Sequence, residues 1–244
     1  MPFMPEQTLI VVPALNEEGS VGDVVRSITT LLPGVTVLVV DDGSTDTTCA
    51  AAAAAGAHVA SLPFNLGVGG AMRVGFRYAV QHGYSAVVQV DADGQHDPEG
   101  IAGLVSRLDE ADLVLGARFA GLGEYTVRGP RKWAMVVLAK VLSRSARTRL
   151  TDTTSGFRAS GPRAIALFAR HYPAEYLGDT IESLVIASRS GLRVTQTPVV
   201  MRSRVAGVPS HNPARAAVYL ARAVLALVFA FVRPSSTYTM EVAS

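Results

Sequence analysis

The first 117 residues alternate short apolar runs with segments of helical periodicity, and this alternation constrains the fold more than any other feature. Helical patterns over 20–31, from about residue 47, over 68–82 and from Asp97-Pro98 separate the apolar runs. This order is typical of parallel βαβ units, in which each helix crosses back over the sheet. We therefore predict an α/β fold with a mostly parallel, Rossmann-like sheet flanked by helices. The apolar runs, read as strands, occupy residues 8–13, 35–40, 57–61, 86–90 and 112–116.

Polar clusters follow four of these predicted strands. The carboxyl ends of parallel strands meet at one edge of a sheet, so we expect the clusters to converge there. Asp91 and Asp93, with Gln95 close behind, supply the hard oxygen ligands that suit Mg²⁺ or Mn²⁺ carrying a substrate phosphate. The alternative is that the two aspartates only cap the following helix. The four clusters are Asn16-Glu17-Glu18, Asp41-Asp42, Asn65 with Gly67, and Asp91 with Asp93.

Two common nucleotide-binding patterns do not fit this chain. The glycine-rich string at 67–72 has Met72 where a dinucleotide motif has its third glycine, and it follows a later strand instead of the first. No G-x-x-x-x-G-K-[ST] string is present, which argues against a P-loop enzyme. A sugar nucleotidyltransferase is disfavoured because no glycine-rich, lysine-containing phosphate loop opens the chain.

Charge is distributed unevenly along the sequence. Residues 1–117 carry a net charge of −10 and residues 118–244 a net charge of +12. An acidic half can hold a cation, and a basic half can hold phosphate or approach an anionic membrane. The alternative is that the two halves neutralise each other across the fold. Nucleic acid is disfavoured as a partner because aromatic residues are sparse among the basic ones, and Trp133 is the single aromatic residue of the predicted basic helix over 131–145.

Three features favour a cytoplasmic protein. The single cysteine, Cys49, excludes an internal disulfide. The start M-P-F-M-P-E-Q lacks the basic and apolar regions of a secretory signal. No apolar run approaches the roughly 20 residues that a spanning helix needs. We expect the protein in the cytoplasm, at the inner face of the cell membrane.

The last 32 residues, 213–244, predict an amphipathic helix and a tail. Arg215, Arg222 and Arg233 share one helical face, and the remaining surface is almost wholly apolar. Such a helix lies in the bilayer interface, or it packs on the domain or on a partner subunit. The sequence therefore divides into a domain over 1–212 and this C-terminal segment. Within the domain, residues 1–117 form an acidic half and residues 118–212 a basic half.

Six motifs carry a resemblance to a known family. In order along the chain they resemble those of an inverting family 2 glycosyltransferase, over about residues 8–210. The later motifs are similar to those of polyprenyl-phosphate sugar synthases of the dolichyl-phosphate mannosyltransferase type. The resemblance implies a GT-A fold and transfer of a sugar from a nucleotide-diphosphate sugar to a polyprenyl phosphate. It also implies that residues 1–117 form a nucleotide-sugar half of the domain and residues 118–212 an acceptor half. The motifs are V-P-A-L-N-E-E, V-V-D-D-G-S-T-D, N-L-G-V-G-G-A, V-D-A-D-G-Q-H, G-A-R-F and D-T-T-S-G-F-R.

The resemblance also implies roles for residues of the donor site. A nucleoside contact is implied for Pro13, Leu15 and Glu17, and a base contact for Asp41 and Asp42. Asp91 and Ala92 would lie near the ribose and diphosphate. The metal ligands would be Asp91, Asp93 and Gln95, and Arg204 would lie in a loop that closes over the donor. That loop departs from the family pattern, because Pro209-Ser210-His211-Asn212 replaces its Ser-Lys ending.

On the acceptor side the resemblance implies that Arg118 and Arg131 lie near the acceptor phosphate. A phosphate nucleophile is already an anion and needs positioning more than a general base. Asp179 would serve as the base if the acceptor were a hydroxyl of a glycan or small molecule, and this is the alternative reaction. An inactive nucleotide-sugar-binding scaffold is the alternative of another class. A small membrane protein or a second copy of the chain stays open as a partner.

Overall fold

A computed structural model describes residues 3–118, 139–173 and 179–202 of the 244-residue chain. Its centre is one seven-stranded sheet with the strand order β3-β2-β1-β4-β6-β5-β7. All neighbouring strands are parallel except β6, which is antiparallel to both β4 and β5. The strands are β1 (Thr8–Ala14), β2 (Thr36–Asp41), β3 (His58–Ser61), β4 (Ala86–Gln89), β5 (Leu113–Ala117), β6 (Arg158–Ser160) and β7 (Val194–Pro198).

Helices cover both faces of this sheet, and each face has its own apolar core. On one face α1, α2 and α4 pack on the β1 residues Ile10 and Val12; on the other, α3, α5, α6 and a helical segment over 139–146 pack on Leu9 and Val11. No helix within the described ranges is long and apolar enough to cross a bilayer. The helices are α1 (Val21–Leu31), α2 (Thr48–Ala54), α3 (Gly67–His82), α4 (Gly100–Ser106), α5 (Pro162–His171) and α6 (Asp179–Arg189).

The central strand β1 explains where a crevice forms. All seven of its residues are buried, since helices cover both faces of the sheet at this strand. The connections that follow β1 and β2 lead toward β3, whereas β4 lies on the opposite side of β1. The loops after β1 and β4 therefore diverge and leave a cleft at the carboxyl ends of the two strands, which is where open α/β sheets bind ligands.

The observed elements agree with the sequence prediction in the first half and add to it in the second. Every strand predicted before residue 117 is present, and no strand end differs from its predicted position by more than one residue. The helix predicted from Asp97-Pro98 begins at Gly100, after a turn. Strand β6 was not predicted, because residues 151–161 read only as polar and turn-rich, and no element was predicted where α5 lies. The predicted C-terminal helix, Arg131 and Arg204 lie outside the described residues.

Close packing of α3 on β1 depends on Gly75. A Cβ atom added at Gly75 would lie 2.6 Å from Cγ1 of Val11, a fully buried side chain. We expect Gly75→Ala to lower the free energy of unfolding by about 1–3 kcal/mol, because the helix must move away from the sheet. Urea unfolding measures the change.

The matched control for this substitution is Gly103→Ala in α4. A Cβ atom there meets nothing within 4 Å, so alanine should be neutral or stabilise by about 0.5–1 kcal/mol through helix propensity. Equal destabilisation by the two substitutions would contradict the packing explanation.

Candidate active site

The loop after β4 carries Asp91 and Asp93 into the cleft beside β1. Val90 N donates to Val11 O at 3.0 Å, so the chain leaves the sheet immediately before Asp91. On the other side of β1, Ala14 pairs with Asp41 at the end of β2. Because Asp41 and Asp91 flank the end of one strand, their backbones lie roughly 10 Å apart, which is two strand spacings.

His96 fixes the position of Asp91, and the sequence analysis assigned it no role. The Asp91 N–H donates to His96 Nδ1 at 3.0 Å, and His96 Nε2 lies 3.4 Å from Asp91 Oδ2. Since Nδ1 accepts a hydrogen bond, the neutral ring carries its proton on Nε2, which faces the carboxylate. The imidazole is 3% exposed and stacks on Phe157 at a centroid distance of 4.8 Å. A buried histidine thus orients a carboxylate that is 41% exposed.

The chain after β7 holds this aspartate loop from outside. The backbones of His96 and Met201 form an isolated antiparallel β-bridge, and Arg202 N donates to Gln95 O at 2.9 Å. Arg202 Nη2 also donates to Asp97 Oδ1 at 2.8 Å. The segment that leads toward Arg204 therefore starts at the predicted metal loop.

Gly156 allows a second loop to approach Asp91 closely. A Cβ atom at Gly156 would lie 3.0 Å from Asp91 Oδ1 and 3.1 Å from Gln89 Nε2. Such a contact is tight, so any larger residue would displace the carboxylate or the loop. The turn over residues 152–157 therefore lies directly against the aspartate that ends β4.

Arg158 anchors that turn to helix α6. Its Nε donates to Ser155 O at 2.7 Å and its Nη2 to Thr153 O at 3.0 Å. Its Nη1 donates to Thr180 O at 2.9 Å and to the Ser183 hydroxyl at 3.0 Å. The side chain is buried, and this burial lowers the pKa of Arg158 although nearby carboxylates act in the opposite direction. A buried cation whose hydrogen bonds are made to backbone carbonyls and a hydroxyl holds the two segments in one geometry.

Asp179 opens α6 beside this guanidinium. Burial raises the pKa of Asp179, attraction to Arg158 opposes the shift, and the charge of Asp91 adds to it. Its Oδ2 is buried and has no hydrogen-bond partner among the described residues. Because the charge of Asp91 acts on Asp179, these two predicted site residues lie in one region of the protein.

Arg118, predicted near an acceptor phosphate, forms a two-point ion pair with Asp152. Its Nε lies 2.6 Å from Asp152 Oδ2, and its Nη2 lies 3.0 Å from Oδ1. Asp152 is fully buried, whereas Arg118 is 24% exposed. Burial alone would raise the pKa of Asp152, but the hydrogen bonds and charge of Arg118 outweigh it and the pKa is lowered. The end of β5 is thereby tied to the turn that contacts Asp91.

On the donor side, hydrogen bonds join the loops after β1 and β2. Asn16, with a φ of 54°, accepts from Thr45 N at 2.9 Å and donates its own N–H to the Ser44 hydroxyl at 2.9 Å. Glu18 accepts from Thr47 N at 3.0 Å. Glu17 N donates to the Thr48 hydroxyl at 2.8 Å. The predicted nucleoside contacts Pro13, Leu15 and Glu17 thus belong to a cross-linked pair of loops, in which Pro13 is buried and Leu15 exposed.

Asp41 and Asp42 are buried and already make contacts within the protein. Asp41 accepts from the Ser61 hydroxyl at 3.1 Å and from Ser44 N at 3.3 Å. Burial raises the pKa of Asp41, but hydrogen bonds from hydroxyl, thiol and backbone groups reverse the shift and lower it. Asp42 accepts from the backbone N–H groups of Leu66 and Gly67 at 2.7 and 2.8 Å, so it caps the start of α3. The predicted contacts of both residues with a base stay predictions.

The donor set at Asp91, Asp93 and Gln95 fits a divalent cation bound together with a substrate. Ala92 between them is buried, and Asp93 Oδ1 accepts from Gln95 N at 3.0 Å. Within the described residues no group of three or more His, Cys, Asp or Glu side chains could hold a metal ion. Mg²⁺ usually takes one or two carboxylates and completes its shell with phosphate and water, so two carboxylates are sufficient.

Comparison with known sequences gives a consistent family. The family described as Glycosyl transferase family 2 matches residues 9–170. The polyprenol monophosphomannose synthase of Mycolicibacterium smegmatis is 31% identical over 220 residues, covering 83% of this chain and 80% of the relative. The undecaprenyl-phosphate mannosyltransferase of Micrococcus luteus is 32% identical over 213 residues, covering 82% and 86%.

Comparison with solved structures supports the fold. The glucosyl-3-phosphoglycerate synthase of Mycobacterium tuberculosis, solved with Mn²⁺, UDP and glucosyl-3-phosphoglycerate, gives a TM-score of 0.72 at 24% identity. The alignment covers 93% of this chain and 80% of that one. The same enzyme with Mg²⁺ and UDP gives a TM-score of 0.70. The predicted GT-A architecture is confirmed.

The Arg118–Asp152 pair makes a prediction about acid stability. Because the folded pKa of Asp152 lies below its ordinary value of 3.8, the pair stabilises the fold fully above that value. This contribution is lost as the pH falls through the folded pKa. In Arg118→Gln the guanidinium is absent and burial still acts, so the pKa of Asp152 should rise. Asp152 should then stabilise the fold more as the pH falls, because its buried carboxylate becomes neutral.

Urea unfolding between pH 7 and pH 3 measures these slopes. Asp152→Asn is the control, since it removes the titrating group and both pH-dependent contributions with it. Parallel pH profiles for the wild type and Arg118→Gln would contradict the assigned pKa shift.

Proposed function

Because the chain belongs to glycosyltransferase family 2, we propose that this glycosyltransferase moves a sugar from a nucleotide-diphosphate sugar to a polyprenyl phosphate. The observation that carries the proposal is the meeting of Asp91 with the Arg158-anchored turn at the carboxyl edge of the sheet. Asp91 belongs to the acidic loop that would hold a metal-bound diphosphate, and the turn brings the acceptor half against this loop. The names of the two relatives, both similar over most of their length, support a lipid-phosphate acceptor.

The nucleotide would lie along the cross-linked loops after β1 and β2. Hydrogen bonds between Asn16, Thr45 and Ser44 fix this surface before any ligand arrives. A preorganised surface loses less conformational entropy on binding than a mobile one. We assign the nucleoside to Pro13, Leu15 and Glu17, and the ribose and diphosphate to Asp91 and Ala92.

Asp91, Asp93 and Gln95 would hold Mg²⁺ or Mn²⁺. When bound, the cation supplies positive charge that stabilises the departing diphosphate. His96 orients Asp91 toward this site through two contacts, and Gly156 lets the acceptor turn lie against the same carboxylate. Solved structural neighbours contain Mn²⁺ or Mg²⁺ together with UDP, which agrees with a divalent ion here.

The acceptor phosphate would be placed by Arg118 and Arg131 on the side of the turn over 152–157. A phosphate oxygen is a nucleophile without losing a proton, so the protein needs to orient and desolvate it. Burial keeps Asp179 toward its neutral form, which avoids repulsion of an approaching anion. Attack of the phosphate oxygen on the anomeric carbon, opposite the departing diphosphate, inverts that carbon. The reaction would take place at the cytoplasmic face of the membrane, where the lipid phosphate is reached from water.

A hydroxyl acceptor is the second candidate, and Asp179 is the observation that favours it. Within the described ranges its buried Oδ2 has no hydrogen-bond partner, so it is available to accept a proton from substrate. A raised carboxyl pKa is also what a general base at neutral pH requires.

Asp93→Ala should reduce sugar transfer by about 100-fold or more, because it removes a ligand of the ion that stabilises the leaving group. Transfer of radiolabelled sugar to polyprenyl phosphate, with Mn²⁺ in excess, measures the loss. Glu110→Ala is the control, since this exposed carboxylate precedes β5 and therefore lies toward the opposite edge of the sheet. Undiminished turnover of a folded Asp93→Ala protein would rule out the metal role.

Asp179→Asn distinguishes the two acceptors. With a phosphate acceptor the loss in kcat should stay below about tenfold, because asparagine imitates the neutral carboxyl and no base is needed. With a hydroxyl acceptor, loss of the base should cost about 10²–10⁴-fold. Transfer kinetics measured beside a thermal melt separate this effect from unfolding, and a loss in the larger range would refute the phosphate acceptor.

A further inference from the structure

Three helical segments on one face of the sheet carry basic side chains and no acidic ones. They are α3, residues 139–149 and α5, and none of the three contains Asp or Glu. The fourth helix on this face, α6, carries Asp179 and Glu182, but Glu182 is buried and Asp179 has a buried Oδ2. Eight of the basic residues in these segments are exposed. Arg163 among them forms an ion pair with Asp112. Six of the others we call the basic face, and they are Arg73, Arg77, Lys140, Arg144, Arg147 and Arg170.

This charge is not neutralised within the described part of the protein. None of the six residues forms an ion pair with another described residue, whereas Arg26 and Arg107 near the opposite face pair with Asp23 and Glu110. Arg73 Nη2 instead donates to the backbone oxygen of Arg170 at 2.7 Å, which brings two cations together. The basic face therefore has an uncompensated positive potential.

The pKa of His171 responds to this positive potential. Burial lowers its pKa, and the charges of Arg73 and Arg170 lower it further. The charges of α3 and α5 thus act on a common region and do not point into separate parts of the solvent.

Exposed apolar side chains lie among these charges. Val80 is 54% exposed and follows Arg73 and Arg77 on the same stripe of α3. Val141 is 36% exposed and lies between Lys140 and Arg144. Basic residues with interspersed apolar ones are typical of surfaces that lie at the interface of a bilayer.

The basic face also extends to the edge of the sheet that carries the candidate active site. Helix α3 begins at that edge, where Asp42 caps it. Helix α5 begins at the opposite edge, where Gly161 N donates to Asp112 O, and so it ends near Arg73 at the edge of the site. A membrane lying on this face would present lipid headgroups beside the acceptor half.

We propose that the basic face is the surface through which the protein lies on an anionic lipid bilayer. The inference rests on the proposed function in taking a membrane lipid as the acceptor. A nucleic acid is the less suitable partner, because no Phe, Tyr or Trp on these three elements is exposed for stacking on bases. Each basic residue near an anionic membrane contributes about fivefold to the partition coefficient.

The experiment measures binding of the full chain to vesicles that contain no polyprenyl phosphate. Vesicles of phosphatidylcholine alone are compared with vesicles in which one third of the lipid is phosphatidylglycerol. The test variant combines Arg77→Glu with Arg144→Glu. The control combines Arg26→Glu with Arg107→Glu, which changes the net charge equally near the opposite face of the sheet.

The test variant should bind anionic vesicles at least about 25-fold more weakly than the wild type, and the control should remain within about threefold. Binding of the wild type should fall as salt is added, since screening weakens attraction between charges. Equal losses for both variants, or no loss for the test variant, would overturn the proposal. Preference of the wild type for duplex DNA over anionic vesicles would also overturn it.

Two further measurements keep the outcome clear. Thermal melts establish that both variants fold, and Arg77→Gln with Arg144→Gln replaces the test variant if glutamate prevents folding. Transfer to polyprenyl phosphate dissolved in detergent is measured separately. If the wild type fails that assay, the proposed function fails, whereas the vesicle experiment still decides the basic face.

Discussion

Parallel pairing of β1 with β2 on one side and β4 on the other determines where chemistry can occur. The connections after β1 and β4 leave in opposite directions, so these two connections leave a cleft between them at the end of β1. Asp41 ends one neighbour of β1, and Asp91 follows the other. The acidic charge of the first half is thus concentrated where a cation with a diphosphate can be held. Burial of β1 on both faces makes this arrangement rigid, because neither face can tilt without opening a packed core.

Buried charges perform a second task in the acceptor half. Arg158 satisfies three backbone carbonyls and one hydroxyl, and Arg118 closes a two-point pair with Asp152. Removing one partner from such a contact leaves the other group buried and unpaired. The resulting loss of folding free energy is much larger than the net stabilisation that the intact contact provides. The half that we propose for the acceptor is therefore held by polar contacts of defined direction, whereas apolar packing alone would tolerate small displacements. Asp91 is the residue at which this half and the donor half meet.

The sequence was sufficient to predict the parallel strands and the acidic edge of the sheet, because each buried strand reads as an apolar run that ends in polar residues. It was insufficient for β6, whose three residues are Arg158, Ala159 and Ser160, because the burial of an arginine depends on carbonyls that only the folded chain brings together. His96 was missed for a similar reason: its contacts with Asp91 and Phe157 are set by a turn and by a distant strand. Asp42 shows a role that its motif does not reveal. Its carboxylate caps α3, and its predicted contact with a base stays a prediction.

The antiparallel strand β6 has a consequence for how the chain is assembled. It lies between β4 and β5, so residues 158–160 complete a sheet that residues 8–117 begin. During synthesis the facing edges of β4 and β5 stay uncovered until the ribosome has released residue 160, and exposed strand edges invite pairing with other chains. The nucleotide-sugar half and the acceptor half are thus distinct in their chemistry but interleaved in their backbone, and a fragment cut between them would leave the centre of the sheet without a strand.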